Sequence, residues 1–141
     1  MTEAEPAYGA GLAARGVARA RITMRPETAR AVANHGIKKG DVLGAARFAG
    51  LQAAKDAASY LPMLDPEPVS HVVVEFTVGE DHIDVTTSTR STNEASARMR
   101  ALSTATVATL TIYDMCKSAD RTMRIGPVAV LANPGNEIAP S

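Results

Sequence analysis

The sequence holds a single cysteine, Cys116, among 141 residues. An internal disulfide and any metal site built from a cysteine cluster are therefore excluded, and the usage fits a reducing, cytoplasmic compartment. Tryptophan is absent and aromatic residues make up only 4%, leaving few platforms on which single-stranded bases could stack. Neither sign of charge is in excess: 15 Lys and Arg against 15 Asp and Glu give a formal net charge of +0. That balance argues against a nucleic-acid coat or a polybasic membrane binder. The longest apolar runs, such as Val128 to Ala132, fall far short of the ~20 residues of a membrane helix. The opening Met1-Thr2-Glu3-Ala4-Glu5-Pro6 lacks the basic and apolar regions of a secretory signal. Also missing are a phosphate-cradling glycine loop, a metal-binding histidine pair and a nucleophile elbow. His35, His71 and His82 share no ligand spacing and read as ordinary surface or strand histidines, so neither a metal nor a cofactor is expected.

What is present is a 45% hydrophobic chain of a length suited to one domain with a real core. Residues 1–14 are small and polar without a period and read as a flexible lead-in. From Val17 the chain alternates, with Ala18, Ala20, Ile22 and Met24 on one face and Val17, Arg19, Arg21 and Thr23 on the wet one, the pattern of a half-buried strand. Pro26 opens a short helix over Glu27 to His35, ended by Gly36. Asp41 can cap an alanine-rich helix over roughly 42–60, with Val42, Ala45, Ala49, Ala53 and Ala57 as its packed face. Val69 to Val78 and His82 to Thr89, joined through Gly79-Glu80-Asp81, form a hairpin pattern. Ser91 and Glu94 are spaced as a capping box for a long helix to about Ala119. Met123 to Leu131 is a last strand, and residues 132–141 look irregular. The order β, two helices, β, β, α, β predicts an α+β, ferredoxin-like split βαβ fold, with an antiparallel sheet and helices on one face; residues 15–131 form the domain.

Two stretches could bear chemistry. In Ile112-Tyr113-Asp114-Met115-Cys116-Lys117, Asp114 and Lys117 stand three apart, so they share a helix face. On spacing alone the pair reads as a solvated ion pair near a helix C-terminus, where a lysine is favoured by the dipole, ahead of a site. Lys38-Lys39-Gly40-Asp41-Val42 is a basic turn into a helix N-terminus, which could hold an anion or merely connect two helices.

Lys39-Gly40-Asp41-Val42-Leu43, Ala49-Gly50-Leu51-Gln52-Ala53-Ala54-Lys55 and Leu110-Thr111-Ile112-Tyr113-Asp114-Met115-Cys116-Lys117 together resemble the MoaC family, the cyclic pyranopterin monophosphate synthases of molybdenum cofactor assembly. The likeness runs from about Met24 to Leu131. It implies a ferredoxin-like lyase that forms hexamers, with active sites at dimer interfaces, and that converts a cyclised dihydro-GTP into the cyclic phosphate with loss of pyrophosphate. By this resemblance Lys39, Asp114 and Lys117 fall at positions of acid–base chemistry, and Met99 at a substrate-lining methionine. Other positions depart. The family's Leu-Cys-His-Pro is here Met63-Leu64-Asp65-Pro66, its Glu-Met-Glu-Ala-Leu is Arg98-Met99-Arg100-Ala101-Leu102, and its Gly-Gly-Lys-Ser-Gly is Gly135-Asn136-Glu137-Ile138-Ala139.

Glutamate accepts the N–H donors of a guanine edge, whereas arginine only donates and suits carboxylate or phosphate. Chemistry-bearing positions stay while substrate-reading positions change. The expectation is a MoaC-like cyclase or lyase acting on a small anionic substrate other than the cyclised dihydro-GTP, with Asp65, Arg98, Met99 and Arg100 binding it. The alternatives are the pyranopterin synthase itself and a non-catalytic ligand-binding or structural relative. The expected partners are a small-molecule substrate and further copies of the chain, in a hexamer built from dimers, with no nucleic acid and no membrane. Met99 and Lys117 lie 18 positions apart, about 27 Å along one helix. One small substrate therefore reaches both only if a second subunit completes the site.

Overall fold

The computed structural model describes residues 12–131; the expectations for residues 1–11 and 132–141 lie outside them. Its elements are β1 (Ala14–Thr23), α1 (Pro26–Ala33), α2 (Val42–Asp56) with a 3-10 turn (Ala57–Ser59), β2 (Ser70–Val78), β3 (His82–Ser91), α3 (Glu94–Cys116) and β4 (Arg124–Val130). The four strands pair antiparallel in the order β2-β3-β1-β4. This is the α+β ferredoxin-like arrangement that the element order predicts. No helix among the described residues is long and apolar enough to cross a membrane.

The helices cover the sheet face that presents Ala18, Ala20, Ile22, Ile83 and Val85, all fully buried. α3 lies on it through Ala97, Ala101, Ala105, Ala108, Ile112 and Cys116, each 0% exposed, a stripe at helical spacing whose first four residues are alanines. Small residues let helix and sheet approach until strand hydroxyls meet helix carbonyls. Thr87 Oγ1 donates to Ala101 O and Thr89 Oγ1 to Ala97 O, both at 2.7 Å. Two buried hydroxyls are thereby satisfied without water.

Three local expectations are corrected. The buried face of α2 is Val42, Ala46, Gly50, Ala53 and Ala54, while Ala45 and Ala49 are only half-buried. A run of alanines carries no contrast between faces, so its pattern cannot fix the rotation. The close approach of α3 does, since a Cβ on Gly50 would stand 2.9 Å from Thr104 Cγ2. The cap of α3 is Asn93, whose side chain accepts from Ser96 N at 2.8 Å. Ser91 is instead the last residue of β3, paired with Ala14. Val17 is 5% exposed although it faces away from the helices, because β1 is central and both neighbouring strands shelter a short side chain; Arg19 and Arg21 reach past them into solvent.

At the far end of the sheet one carboxylate joins two segments. Asp120 is fully buried. It accepts from Arg25 N (2.9 Å), Thr28 Oγ1 (2.8 Å), Thr122 N (2.8 Å) and Thr122 Oγ1 (2.6 Å). The N-cap position of α1, Arg25, makes no side-chain cap, so Asp120 caps that helix from across the chain. Burial by itself would raise the Asp120 pKa. The hydrogen bonds from Thr122, Arg25 and Thr28 outweigh it and hold the carboxyl far below its ordinary range.

Candidate active site

The last turn of α3 carries Asp114, and Lys117 caps the helix. Lys117 Nζ lies 2.5 Å from Asp114 Oδ1, the i,i+3 pair that their spacing allows. Lys39 arrives from a different part of the chain. The turn after α1 closes with Gly40 N donating to Ile37 O at 3.1 Å, and Gly40 adopts φ +124, a conformation open to glycine and strained for other residues. Asp41 then caps α2 by accepting from Gly44 N at 3.1 Å. This turn delivers Lys39 Nζ to within 3.4 Å of the Asp114 main-chain oxygen. Residues 75 positions apart thus converge on one aspartate.

The electrostatics follow from that convergence. The hydrogen bond from Lys117, its positive charge and that of Lys39 hold the Asp114 carboxyl below its usual pKa. Asp114 is therefore a carboxylate at neutral pH, an orienting acceptor for Lys117. Two ammonium groups beside one carboxylate leave a net positive site, suited to phosphate oxygens and to delivering a proton. An open depression of ≈ 500 Å³ adjoins it, lined by Leu110, Thr111, Tyr113, Asp114 and Lys117. Leu110, Thr111 and Tyr113 were not singled out as site residues from sequence. Leu110 and Tyr113 stand seven and four before Lys117, and Thr111 three before Asp114, spacings that could have placed them beside the pair. A larger opening of ≈ 590 Å³, lined by Thr23, Met24, Arg25 and Thr122 among others, contains none of the expected site residues. Cys116, next to this pair in sequence, points inward at 0% exposure. Burial and the charge of Asp120 push its thiol up to about 11, which keeps it protonated and inert.

The remaining expected residues gather at the other end of α3. Met99 is 36% exposed. Arg98 is half-buried and its Nη2 lies 3.4 Å from Glu94 Oε1. Asp65 is exposed in the loop before β2. Arg100 occupies a setting unlike the expected one: it is 0% exposed and donates to Ser96 Oγ, Ala54 O and Asp65 O at 3.1, 2.7 and 3.0 Å. Its guanidinium is taken up inside the chain. Gly135 to Ala139 lie outside the described residues.

Comparison with known proteins gives this geometry a setting. The chain matches the MoaC family over residues 11–135. It belongs to the MoaC family. A cyclic pyranopterin monophosphate synthase of Geotalea uraniireducens is 40% identical over 122 residues, covering 85% of this chain and 76% of that protein. Proteins of the same name from a Roseiflexus species (40% over 121 residues, 84% and 77% covered) and from Brevibacillus brevis (37% over 122 residues, 86% and 76% covered) are similarly related. This MoaC-family chain is an enzyme of the lyase and cyclase type.

Proposed function

We propose that this MoaC-family enzyme forms cyclic pyranopterin monophosphate from the cyclised dihydro-GTP. The observation that carries the reading is the convergence of Lys39 and Lys117 on Asp114 in a chain 40% identical to named synthases. In the cyclising step a substrate hydroxyl oxygen bonds to the α-phosphorus and releases its proton, the bond from the α-phosphorus to the β-phosphate oxygen breaks, and pyrophosphate leaves with the electron pair and takes up a proton. Lys117, oriented by Asp114, and Lys39 are suited to proton transfer and to stabilising the charge on the departing pyrophosphate. The alternative expectation, a different substrate, leans on reversed charges at Arg98 and Arg100. The full burial of Arg100 supports a role inside the chain over a substrate contact and removes one of those two reversals from the argument.

Arg98 and Asp65 still favour a second reading, a related anionic substrate, because both offer side chains to solvent at positions where the resemblance implies opposite chemistry. Turnover of the cyclised dihydro-GTP separates the two. Under either reading the site draws on two copies of the chain. The two clusters sit at opposite ends of a 23-residue helix, and an antiparallel α3 from a second copy would bring its Met99 and Arg98 to the first copy's Lys117, giving two equivalent sites per dimer. Mixing Lys117→Ala chains with Met99→Asp chains, each inactive alone, tests this arrangement under both readings. Partial recovery of activity supports it, and none contradicts it.

A further inference from the structure

We propose that Arg100 is a positioning residue that sets the loop of residues 60–69, and with it Asp65, against the N-terminal end of α3. The proposal rests on the reading that this end of α3 contributes to the substrate site. The loop joins the 3-10 turn after α2 to β2 and contains no helix or strand. Pro62, Pro66 and Pro68 deprive it of N–H donors, and Leu64 N to Leu61 O, 3.1 Å, is an internal main-chain bond that it does form. Its shape is imposed from outside. Arg100 Nη2 donates to Asp65 O at 3.0 Å, Ser91 Oγ to Pro68 O at 3.0 Å, and Thr92 Oγ1 to the Glu67 carboxylate.

Arg100 is the hub of these fastenings. Its Nε donates to Ser96 Oγ, itself 2.8 Å from Ser91 Oγ, so two of the three straps on the loop share one buried hydroxyl chain. Its Nη1 donates to Ala54 O in the last turn of α2. One planar guanidinium thus spans α3, the end of α2 and the loop, a fixed fork that a lysine ammonium cannot reproduce. All three acceptors are neutral oxygens, and the buried charge is compensated by its place at the C-terminal, negative end of α2. Apart from Glu67, the loop is gripped by its main chain, which leaves other side chains outward: Met63 is 94% exposed and Asp65 is exposed. A rigid backbone presenting free side chains is what a specificity-determining loop requires.

The test compares Arg100→Lys, Asp65→Asn and the double variant in the full-length chain, by steady-state kinetics on the cyclised dihydro-GTP and by amide hydrogen exchange. Arg100→Lys is expected to raise exchange within residues 60–69 while β1, β3 and α3 stay protected. It should raise KM about tenfold, the worth of one charge-assisted hydrogen bond, with a smaller change in kcat. Asp65→Asn should raise KM with exchange unchanged, and the double variant should be no worse than the poorer single one, since both act through one side chain. A lower melting temperature with KM unchanged, fully additive KM effects, or loosening spread over the whole fold would overturn the proposal. Should Arg100→Lys fail to fold, Ser96→Ala, which removes the Nε acceptor together with its bond to Ser91 Oγ, carries the same expectations. Should the wild type not turn over the cyclised dihydro-GTP, the proposed function fails, and localised against global exchange still decides the role of Arg100.

Discussion

Lys117 and Asp114 face each other at 2.5 Å on one side of α3, and the carbonyl of the same aspartate receives Lys39. Removing either lysine should stop the chemistry and spare the fold, since both side chains are on the surface. Lys39→Ala and Lys117→Ala are each expected to lower kcat by about 10²-fold or more, with unchanged circular dichroism and melting temperature. Asp114→Asn should have a smaller effect, because it removes the group that orients Lys117 rather than a proton carrier. Single-turnover kinetics on the three variants checks the ranking.

Asp120→Asn should destabilise the protein by about 3 kcal/mol. An amide must turn an N–H₂ group toward donors that now meet a carboxylate oxygen. The folded pKa of Asp120 is depressed, so its contribution is fully present above the unfolded value, about 3.9, and is lost as pH falls through the folded value. The stability gap between wild type and Asp120→Asn should therefore be widest near neutrality and narrow below about pH 4. Urea unfolding at a series of pH values measures it.

The element order was legible in the sequence because it rests on strong local signals, whereas Lys39 and Lys117 stood out only through the family resemblance, their local spacing reading as a connecting turn and an ion pair. β3 alternates strictly, and Ile83, Val85 and Thr87 are all buried. Gly36 and Gly40 punctuate the helices. What was not legible depends on partners distant in sequence. Nothing near Arg100 announces that its guanidinium would meet Ala54 and Asp65, 46 and 35 residues away, so it read as a substrate contact. Ser91 showed the spacing of a cap, but β3 extends through it and Asn93 takes that role. The rotation of α2 was hidden by its alanines and is set by α3.

Gly16 sits where β1 meets the first turn of α3. A Cβ there would stand 2.3 Å from the Ala97 carbonyl carbon and oxygen, main-chain atoms that cannot swing aside. Gly16→Ala should cost about 2–3 kcal/mol by overpacking, visible as a lowered denaturation midpoint at unchanged m-value.

Cys116 should not react with iodoacetamide at neutral pH in the folded protein, because burial and Asp120 raise its thiol to about 11. Mass spectrometry should find one alkylation per chain only after denaturation. Rapid labelling of the native enzyme would contradict the buried, protonated state.

On the proposed function, the Lys39–Asp114–Lys117 cluster cyclises the family's substrate in spite of the changed residues at the other end of α3. The direct measurement is to incubate the purified full-length chain with the cyclised dihydro-GTP and to quantify cyclic pyranopterin monophosphate and pyrophosphate together. Equimolar formation of both, abolished in Lys117→Ala, is the predicted result. Unaltered substrate after long incubation, with the enzyme folded and assembled, would contradict it.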